Sequence, residues 1–402
     1  MKTLLKDAEN LRDKLIKHRR YLHENAEIGF DLPKTCAYVE SVLRDLGYTV
    51  EKCGKAGLIA TVGDGKNKPT VLLRADMDGL PIEEKSGEPF ACKTGNMHAC
   101  GHDLHTAMLL GAAELLQGRK NGLKGGVKLL FQPAEETLEG AKDCLKNGVL
   151  EGVKPDCAVM LHVMTDFPLE TGTAIVSSAG VSAPAADFFR ITVQGKGCHG
   201  STPWKGVDAL SVGAHILLAL QTLTSREIPA SAAAVLTVGS LQAGQAGNVI
   251  ADRATLQGTL RTFDEDVRTQ IKARIREIAR EQSKAFRATA KTEFLGGCPT
   301  LVNDGKWSDF AYQTARALLG EKAAYTSAEL SGGEVGKTSG GSEDFAYISQ
   351  EIPSVMVALA AGERAKGYSY PLHHPKARFD EDVLPIGAAF LTAFALGKLT
   401  AE

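Results

Sequence analysis

The sequence predicts an α/β protein that has a mostly parallel sheet and a smaller inserted domain. Apolar strands and amphipathic helices alternate along the first part of the chain, as they do in an α/β layer. Near residue 184 the order becomes β-α-β-β-α-β, which is the ferredoxin-like split unit. We therefore predict one domain formed by residues 1–183 and 297–402, and an inserted domain at 184–296.

The elements of the first domain follow from periodicity and composition. Apolar residues at helical spacing predict a helix at 4–20 and a second one from Pro33 to Gly47. Runs of β-branched and apolar residues bounded by Gly, Asp or Asn predict strands at 57–63, 70–77, 126–133, 157–163 and 353–360. Further helices are predicted at 103–118, 138–147, 306–319 and 380–398, and the glycine-rich stretch 331–342 predicts a flexible loop.

The inserted domain combines four strands with two helices. The predicted strands are 188–194, 232–241, 253–263 and 289–295, and the predicted helices are 207–224 and 264–286. The second helix is rich in Arg and Lys, but Glu277 and Glu281 are interleaved with them and Ile271, Ile275 and Ile278 recur at helical spacing. This pattern indicates a solvated amphipathic helix, so we do not expect it to bind nucleic acid.

Composition limits the classes of function. The 402 residues carry a net charge of −2, which leaves no electrostatic footprint for nucleic acid. No apolar run approaches the ~20 residues of a membrane span, and the charged N-terminus lacks the apolar core of a secretory signal. The eight cysteines have no paired spacing. We therefore expect reduced thiols, a cytoplasmic location and no membrane partner.

The segment MHACGHDLHTAM at residues 97–108 raises the question of chemistry. Cys100, His102 and His105 could hold a metal, form a nucleophilic pair or pack in the core. The segment follows the predicted strand 70–77 and precedes a predicted helix, and catalytic groups of α/β sheets gather at such transitions. By itself this short pattern is weak evidence for a metal.

Four other side chains strengthen the metal hypothesis. Glu135 and Glu136 directly follow the predicted strand 126–133, where one could bind a metal while the other faces its water. The alternative is an acidic helix N-terminus. His162 closes an apolar strand, and one of His373 and His374 in a proline-bounded loop could join it, although both positions also suit structural residues. With Cys100 and His102, the side chains of Glu136, His162 and one of these two histidines make five competent ligands for zinc or a similar ion, which suggests two metals or an open site.

Eight segments in a fixed order carry a family resemblance. They are HRRYLHENAEIGF (18–30), LLRADMDGLPI (72–82), MHACGHDLHTAM (97–108), FQPAEE (131–136), GKGCHGSTPWKGVDAL (195–210), GNVIADRATLQGTLRTF (247–263), GGSEDFAYI (340–348) and LHHPKARFDEDVLPIGAAFL (372–391). The chain resembles the metal-dependent aminoacylase and hippurate hydrolase family, which includes plant auxin-conjugate hydrolases and is related to carboxypeptidase G-type enzymes. The resemblance implies a metallopeptidase-like catalytic domain whose insertion serves as a lid and dimerisation domain.

The resemblance also implies a role for each matching residue. The dinuclear site is bridged by Cys100 and completed by His102, Glu136, His162 and His373, the last preferred over His374 by its place in the family pattern. The resemblance makes Glu135 the general base and Asp78 a residue that orients a ligand. His105 remains a second-layer or packing residue.

Three residues of the insertion match family positions that meet the substrate. His199 corresponds to the histidine that stabilises the oxyanion, while Asn248 and Arg261 match positions that bind the substrate carboxylate. A loop histidine and a strand-edge surface charge are the alternatives for His199 and Arg261. The chain departs from the family at Gln242, where a histidine is common, and at Ala251, where a proline is usual.

The expected activity is hydrolysis of the amide bond of N-acyl-amino acids by metal-activated water. The resemblance implies two divalent ions per subunit, with zinc expected and manganese, cobalt or nickel as alternatives, and a homodimer or higher homo-oligomer. A dipeptidase or carboxypeptidase would use the same chemistry. Two other hypotheses are a thiol nucleophile at Cys100 and a metal-binding protein without catalysis.

Overall fold

Two units make up the fold, and the chain enters the second at Ala183 and leaves it at Leu301. The computed structural model describes residues 2–66, 68–332 and 341–400. A short segment that ends at Ser342 also belongs to the second unit. Most of the predicted glycine-rich loop, residues 333–340, lies outside the described residues. None of the helices in the described part of the chain has the length and apolar character of a membrane span.

A mixed sheet forms the centre of the first unit. Its strands are β1 Val50–Cys53, β2 Gly57–Gly63, β3 Thr70–Asp76, β4 Gly126–Gln132, β5 Cys157–Met164, β6 Ala174–Val176, β15 Ala324–Thr326 and β16 Ser354–Ala360. Their order is β1-β2-β4-β3-β5-β16-β6-β15. The four central strands β4, β3, β5 and β16 run parallel, so their carboxyl ends share one edge of the sheet. The predicted α/β class with a mostly parallel sheet is confirmed.

Helices cover this sheet. The helices of the first unit are α1 Lys2–Glu9, α2 Arg12–Glu24, α3 Pro33–Asp45, α4 His102–Gln117, α5 Gly140–Lys146, α8 Gly305–Leu319, α9 Ser327–Leu330, α10 Ala346–Ser349 and α11 Val383–Thr400. Helix α4 is almost entirely buried and packs against both α2 and α11. The first residue of α4, His102, is therefore fixed in position by the packing of the helix in the core.

The single helix predicted at 4–20 is wrong, because the structure contains two helices there. Helix α1 ends at Glu9 and α2 begins at Arg12. The break contains Asn10, a residue of low helix propensity. The turn is closed by hydrogen bonds from the Asn10 N–H to Lys6 and from the Leu11 N–H to Ala8. Apolar residues at helical spacing continue across the turn, which is why the periodicity alone does not reveal it.

The second unit contains an antiparallel sheet and two helices. Its strands β8 Ala185–Gln194, β10 Ala234–Ala243, β12 Arg253–Thr262 and β13 Thr289–Cys298 lie in the order β10-β12-β8-β13. Helices α6 Ala209–Thr222 and α7 Glu265–Ala285 complete the chain order β-α-β-β-α-β. The short strands β9 Cys198–His199 and β11 Val249–Ile250 pair as a ribbon, and β7 Gly180–Ala183 and β14 Leu301–Asn303 lie where the chain passes between the units.

Helix α7 is amphipathic, as its sequence predicts. The Asp264 carboxylate caps its first turn by accepting from the N–H groups of Asp266 and Val267. The isoleucines at helical spacing are buried in the core of the second unit, together with apolar residues of α6 and β12. The charged residues of α7 pair largely with neighbouring charges, as Arg274 does with Glu227. These contacts agree with a solvated helix face.

Candidate metal centre

The predicted ligands lie at or beyond the carboxyl ends of the central parallel strands. They are His162 within β5, Glu136 in the loop after β4, His373 in the loop after β16, Cys100 just before α4, and His102 as the first residue of α4. Glu135, the predicted base, lies beside Glu136 in the same loop. Because these strands are neighbours in the sheet, residues far apart in sequence meet at one edge. All of them belong to the first unit.

Cys100 lies between two histidines. Its Sγ is 3.5 Å from His162 Nε2 and 3.3 Å from His373 Nε2. Nitrogen and sulfur ligands of one tetrahedral zinc ion are separated by roughly 3.3–3.6 Å, given the usual metal–ligand lengths. Burial raises the pKa of the Cys100 thiol, but His162 and the hydrogen bonds from the surrounding histidines bring it down to about 6. The thiolate, the form that binds metals, is therefore favoured here.

His102 and Glu136 supply a second group of ligand atoms. His102 Nε2 is 3.9 Å from Glu136 Oε1, which is itself 3.4 Å from His373 Nε2. Both His102 Nε2 and Glu136 Oε1 are buried and have no hydrogen-bond partner among the described residues. Leaving such atoms unpaired costs about 1–3 kcal/mol each. A cation held between them would satisfy both, so the residues present fit a metal.

Backbone carbonyls orient the two buried histidines. His102 Nδ1 lies 2.8 Å from the carbonyl oxygen of Asp78, and His162 Nδ1 lies 2.8 Å from that of Val163. A carbonyl only accepts, so in each ring Nδ1 donates the hydrogen bond, and the neutral ring presents a lone pair on Nε2. In both rings Nε2, the atom that would offer its lone pair to a metal, faces the candidate ligand cluster, which is the usual arrangement of metal-binding histidines.

Asp78 contacts two parts of the site. Besides its carbonyl contact with His102, its carboxylate accepts hydrogen bonds from the backbone N–H groups of Glu135 at 2.9 Å and Glu136 at 3.2 Å. The sequence predicts that Asp78 orients one ligand. The structure shows it fixing the glutamate loop through its side chain and a histidine through its main chain.

His105 is saturated by hydrogen bonds. Its Nδ1 contacts Asp76 Oδ1 at 2.6 Å, and its Nε2 accepts the Val163 N–H at 2.8 Å. Burial lowers the pKa of His105 to about 4, so the neutral ring is favoured. Neither nitrogen is left for a metal, which agrees with a packing role. Sequence reasoning missed Asp76, although it lies only two residues before Asp78 in the same motif.

Strained backbone surrounds the ligands. Ala134, Leu138 and His373 have positive φ angles of 54°, 57° and 63°, a region that non-glycine residues rarely adopt. Gly101, between Cys100 and His102, also has positive φ, and a Cβ there would lie 2.3 Å from Val163 Cγ2. Such strain persists where surrounding contacts enforce it, and it is concentrated at functional sites.

The predicted substrate residues lie in the second unit. His199 is exposed in β9 and pairs with Val249, and the Gly200 N–H donates to the Asn248 carbonyl oxygen at 2.7 Å, which brings His199 and Asn248 close together. His199 Nδ1 accepts the Ser201 N–H at 3.1 Å, so the neutral ring carries its proton on Nε2. Arg261 donates to Ser342 Oγ at 2.6 Å. His199, Gln242 and Ala251 line one open cavity of this unit.

Comparison with known proteins identifies the family. The sequence pattern of peptidase family M20/M25/M40 matches residues 72–397. The chain belongs to this family. It is 36% identical to an N-acetyl-L-cysteine deacetylase of Bacillus subtilis over 96% of the chain and 88% of that protein, and 36% identical to thermostable carboxypeptidase 2 of Saccharolobus solfataricus over 96% and 95%. The Bacillus subtilis YXEP protein, described as a dinuclear metal binding peptidase from the M20 family, superposes with a TM-score of 0.78 at 31% identity over 97% of this chain and 99% of that one.

Membership of the M20 family confirms the predicted class of enzyme. The resemblance to metal-dependent amidohydrolases is borne out, since deacetylases are found among the relatives. The carboxypeptidase among them keeps peptide substrates within the range of the family. The clustered histidine, cysteine and glutamate side chains agree with a metal-dependent M20 hydrolase.

Asp78→Asn is expected to lower kcat about 10- to 100-fold, as loss of a residue that orients ligands commonly does. Asparagine has one oxygen to accept the two N–H groups of Glu135 and Glu136, and its NH₂ group would oppose one of them. Steady-state kinetics and metal analysis of the purified variant measure the effect. Asp64→Asn, in the exposed loop between β2 and β3, is the control and should match the wild type. Full activity of Asp78→Asn would contradict the role of Asp78.

Proposed function

We propose that this M20 protein hydrolyses the amide bond of N-acyl-amino acids, with Glu135 as the general base. The observation that carries the proposal is the buried carboxylate of Glu135. It lies beside the ligand cluster but is not one of the proposed ligands. Glu135 is 5% exposed, and its Oε2 lies 3.9 Å from His102 Nε2. The name of the related N-acetyl-L-cysteine deacetylase describes removal of an acyl group from an amino acid, which supports the same substrate class.

We assign the metal-holding role to the five residues predicted from the sequence, Cys100, His102, Glu136, His162 and His373, which would hold two divalent ions. Bound divalent ions supply Lewis acidity, which polarises an amide carbonyl and lowers the pKa of water towards ~7. A thiolate among nitrogen ligands favours zinc, and manganese, cobalt and nickel suit the same donors. Cys100 and His162 already lie at the separation that a shared ion requires.

Glu135 is suited to take a proton from water and return it to the leaving amine. Burial raises the pKa of its carboxyl well above the usual value, and the charges of Glu343 and Asp344 raise it further. A general base works best when its pKa approaches the working pH, and buried glutamates of enzymes are tuned in this way. Its neighbour Glu136 has the opposite shift, with a pKa lowered by His373 and His102 against the effect of burial. The two adjacent carboxylates thus suit two different tasks.

Three residues of the inserted unit are assigned to the substrate because of the family resemblance. His199, with its ring proton on Nε2, is assigned as the hydrogen-bond donor to the developing oxyanion. Asn248 and Arg261 are assigned to the substrate carboxylate. The unit as a whole, residues 184–296 in the predicted boundaries, is assigned as a lid and dimerisation domain of a homo-oligomer. All eight cysteines are free, which suits the cytoplasm.

A screen of substrates tests the acyl preference. Metal-reconstituted protein is expected to hydrolyse N-acetyl- and N-benzoyl-amino acids with kcat/KM at least about tenfold above that for dipeptides of the same amino acids, a difference of about 1.4 kcal/mol. Release of the free amino acid is measured in both series. A preference for dipeptides would favour the carboxypeptidase alternative, which the relative from Saccharolobus solfataricus supports. Absence of hydrolysis in both series would overturn the proposal.

A further inference from the structure

A buried arginine links three segments next to the proposed base. Arg74, in β3, is 1% exposed, and its Nη2 donates to Glu343 and to Asp344, each at 2.9 Å. Its Nε donates to Gln132 Oε1 at 3.0 Å and its Nη1 to Asp76 Oδ2 at 2.6 Å. Glu343 and Asp344 belong to the GGSEDFAYI segment, for which neither the ligand set nor the proposed base gives a role.

Asp344 contacts the loop that carries Glu135 at three points. Its Oδ1 accepts from Gln132 Nε2 at 2.8 Å, at the end of β4, and its Oδ2 accepts from the Ala141 N–H at 2.8 Å, at the start of α5. Its backbone N–H points to Glu135 Oε1 at 3.4 Å. One residue therefore holds both ends of the loop and also approaches the carboxylate of the base.

The loop between these two ends is strained. Ala134 and Leu138 both have positive φ, and a Cβ on Gly140 would lie 1.6 Å from the carbonyl oxygen of Pro133. A strained conformation of this kind requires external contacts that hold it in place. The clamp formed by Gln132, Asp344 and Ala141 supplies such contacts at the points where the loop begins and ends.

We propose that Asp344 is a positioning residue that fixes the Glu135 carboxylate in its working geometry, with Arg74 holding Asp344 in turn. The proposal rests on the proposed role of Glu135 as general base. It predicts that Asp344 acts only through Glu135, because its side chain contacts the base loop and Arg74. A general base must lie within hydrogen-bond reach of its proton, and a shift of about 1 Å costs about 100-fold in rate.

A double-mutant cycle on the metal-loaded protein tests this coupling. Asp344→Asn is expected to lower kcat about 10- to 100-fold, with KM and bound metal within about twofold of the wild type. In the Glu135→Gln background the same substitution should lower the residual kcat by less than about twofold, because the group that it positions is already gone. Gln132→Met removes the contact of Gln132 with Asp344 and should lower kcat in the wild type but not in the Glu135→Gln variant. It replaces Asp344→Asn in the test if that variant does not fold.

The control is Asp187→Asn in the second unit. Asp187 is also a buried carboxylate with two cationic partners, Arg268 and Lys272. Its loss should lower thermal stability without changing kcat of the folded enzyme. If Asp344→Asn lowered kcat by the same factor in the wild type and in the Glu135→Gln variant, Asp344 would have a general structural role. That result would overturn the positioning proposal alone. Unchanged activity of Glu135→Gln would instead overturn the proposed function.

Discussion

Glu135→Gln is expected to lower kcat by about 10²- to 10⁴-fold while the protein keeps its bound metal. Glutamine has nearly the same size and can still accept the Asp344 N–H, but it cannot take a proton from water. The backbone contacts of residue 135 with Asp78 do not depend on its side chain, so the loop should keep its geometry. Kinetics with an N-acyl-amino acid, together with metal analysis and thermal unfolding, provide the measurement.

The matched control is Glu139→Gln in the same loop. Glu139 is exposed and directly precedes α5, so removal of its charge leaves the ligand cluster intact. It should retain wild-type kcat. If Glu135→Gln kept wild-type activity as well, another group would have to serve as the base. If Glu135→Gln lost its metal together with its activity, Glu135 would instead belong to the ligand set.

The central strands are predictable because their burial is uniform. Strands β3, β4 and β5 are buried on both faces and are therefore largely apolar in sequence, which local composition reveals. The strands β1, β6 and β15 contain only three or four residues and were not predicted. They extend the sheet on either side of its central strands. Strand β1 pairs with its sequence neighbour β2, whereas β6 pairs with β15 and β16, which lie far along the chain. No local pattern marks such short segments as strands.

The proposed ligands were identifiable because each one is a metal-binding residue type at a strand end or in a loop. Arg74 and Asp344 offered no such signal. They lie 270 residues apart, and their significance comes only from the contact between them. In the sequence, an arginine within an apolar strand departs from the expected apolar pattern, and its buried acidic partners become visible only in the structure. Residues that hold a site in place are therefore harder to recognise in a sequence than residues that contact the ligand.

Cys100→Ser is expected to remove at least one of the two proposed ions and to lower kcat/KM by more than about 100-fold. The pKa of the thiol lies near 6, so sulfur enters the site as an anion, whereas a serine hydroxyl stays neutral and is a poorer ligand. Metal content after dialysis and activity before and after addition of zinc provide the measurement. Cys92→Ser is the control, since Cys92 is also buried and its Sγ lies 3.2 Å from Thr94 Oγ1, outside the ligand cluster.

The same variant separates a metal ligand from a nucleophile. The contacts of Cys100 with His162 and His373 would also suit a thiolate–imidazolium pair that attacks the amide and forms an acyl-enzyme. In that case Cys100→Ser would keep its full metal content, and a chelator would leave the wild-type enzyme active. The metal hypothesis requires the reverse, with wild-type activity lost on chelation and restored by zinc. The unpaired atoms of His102 and Glu136 favour the metal, because a thiol nucleophile would leave both of them unsatisfied.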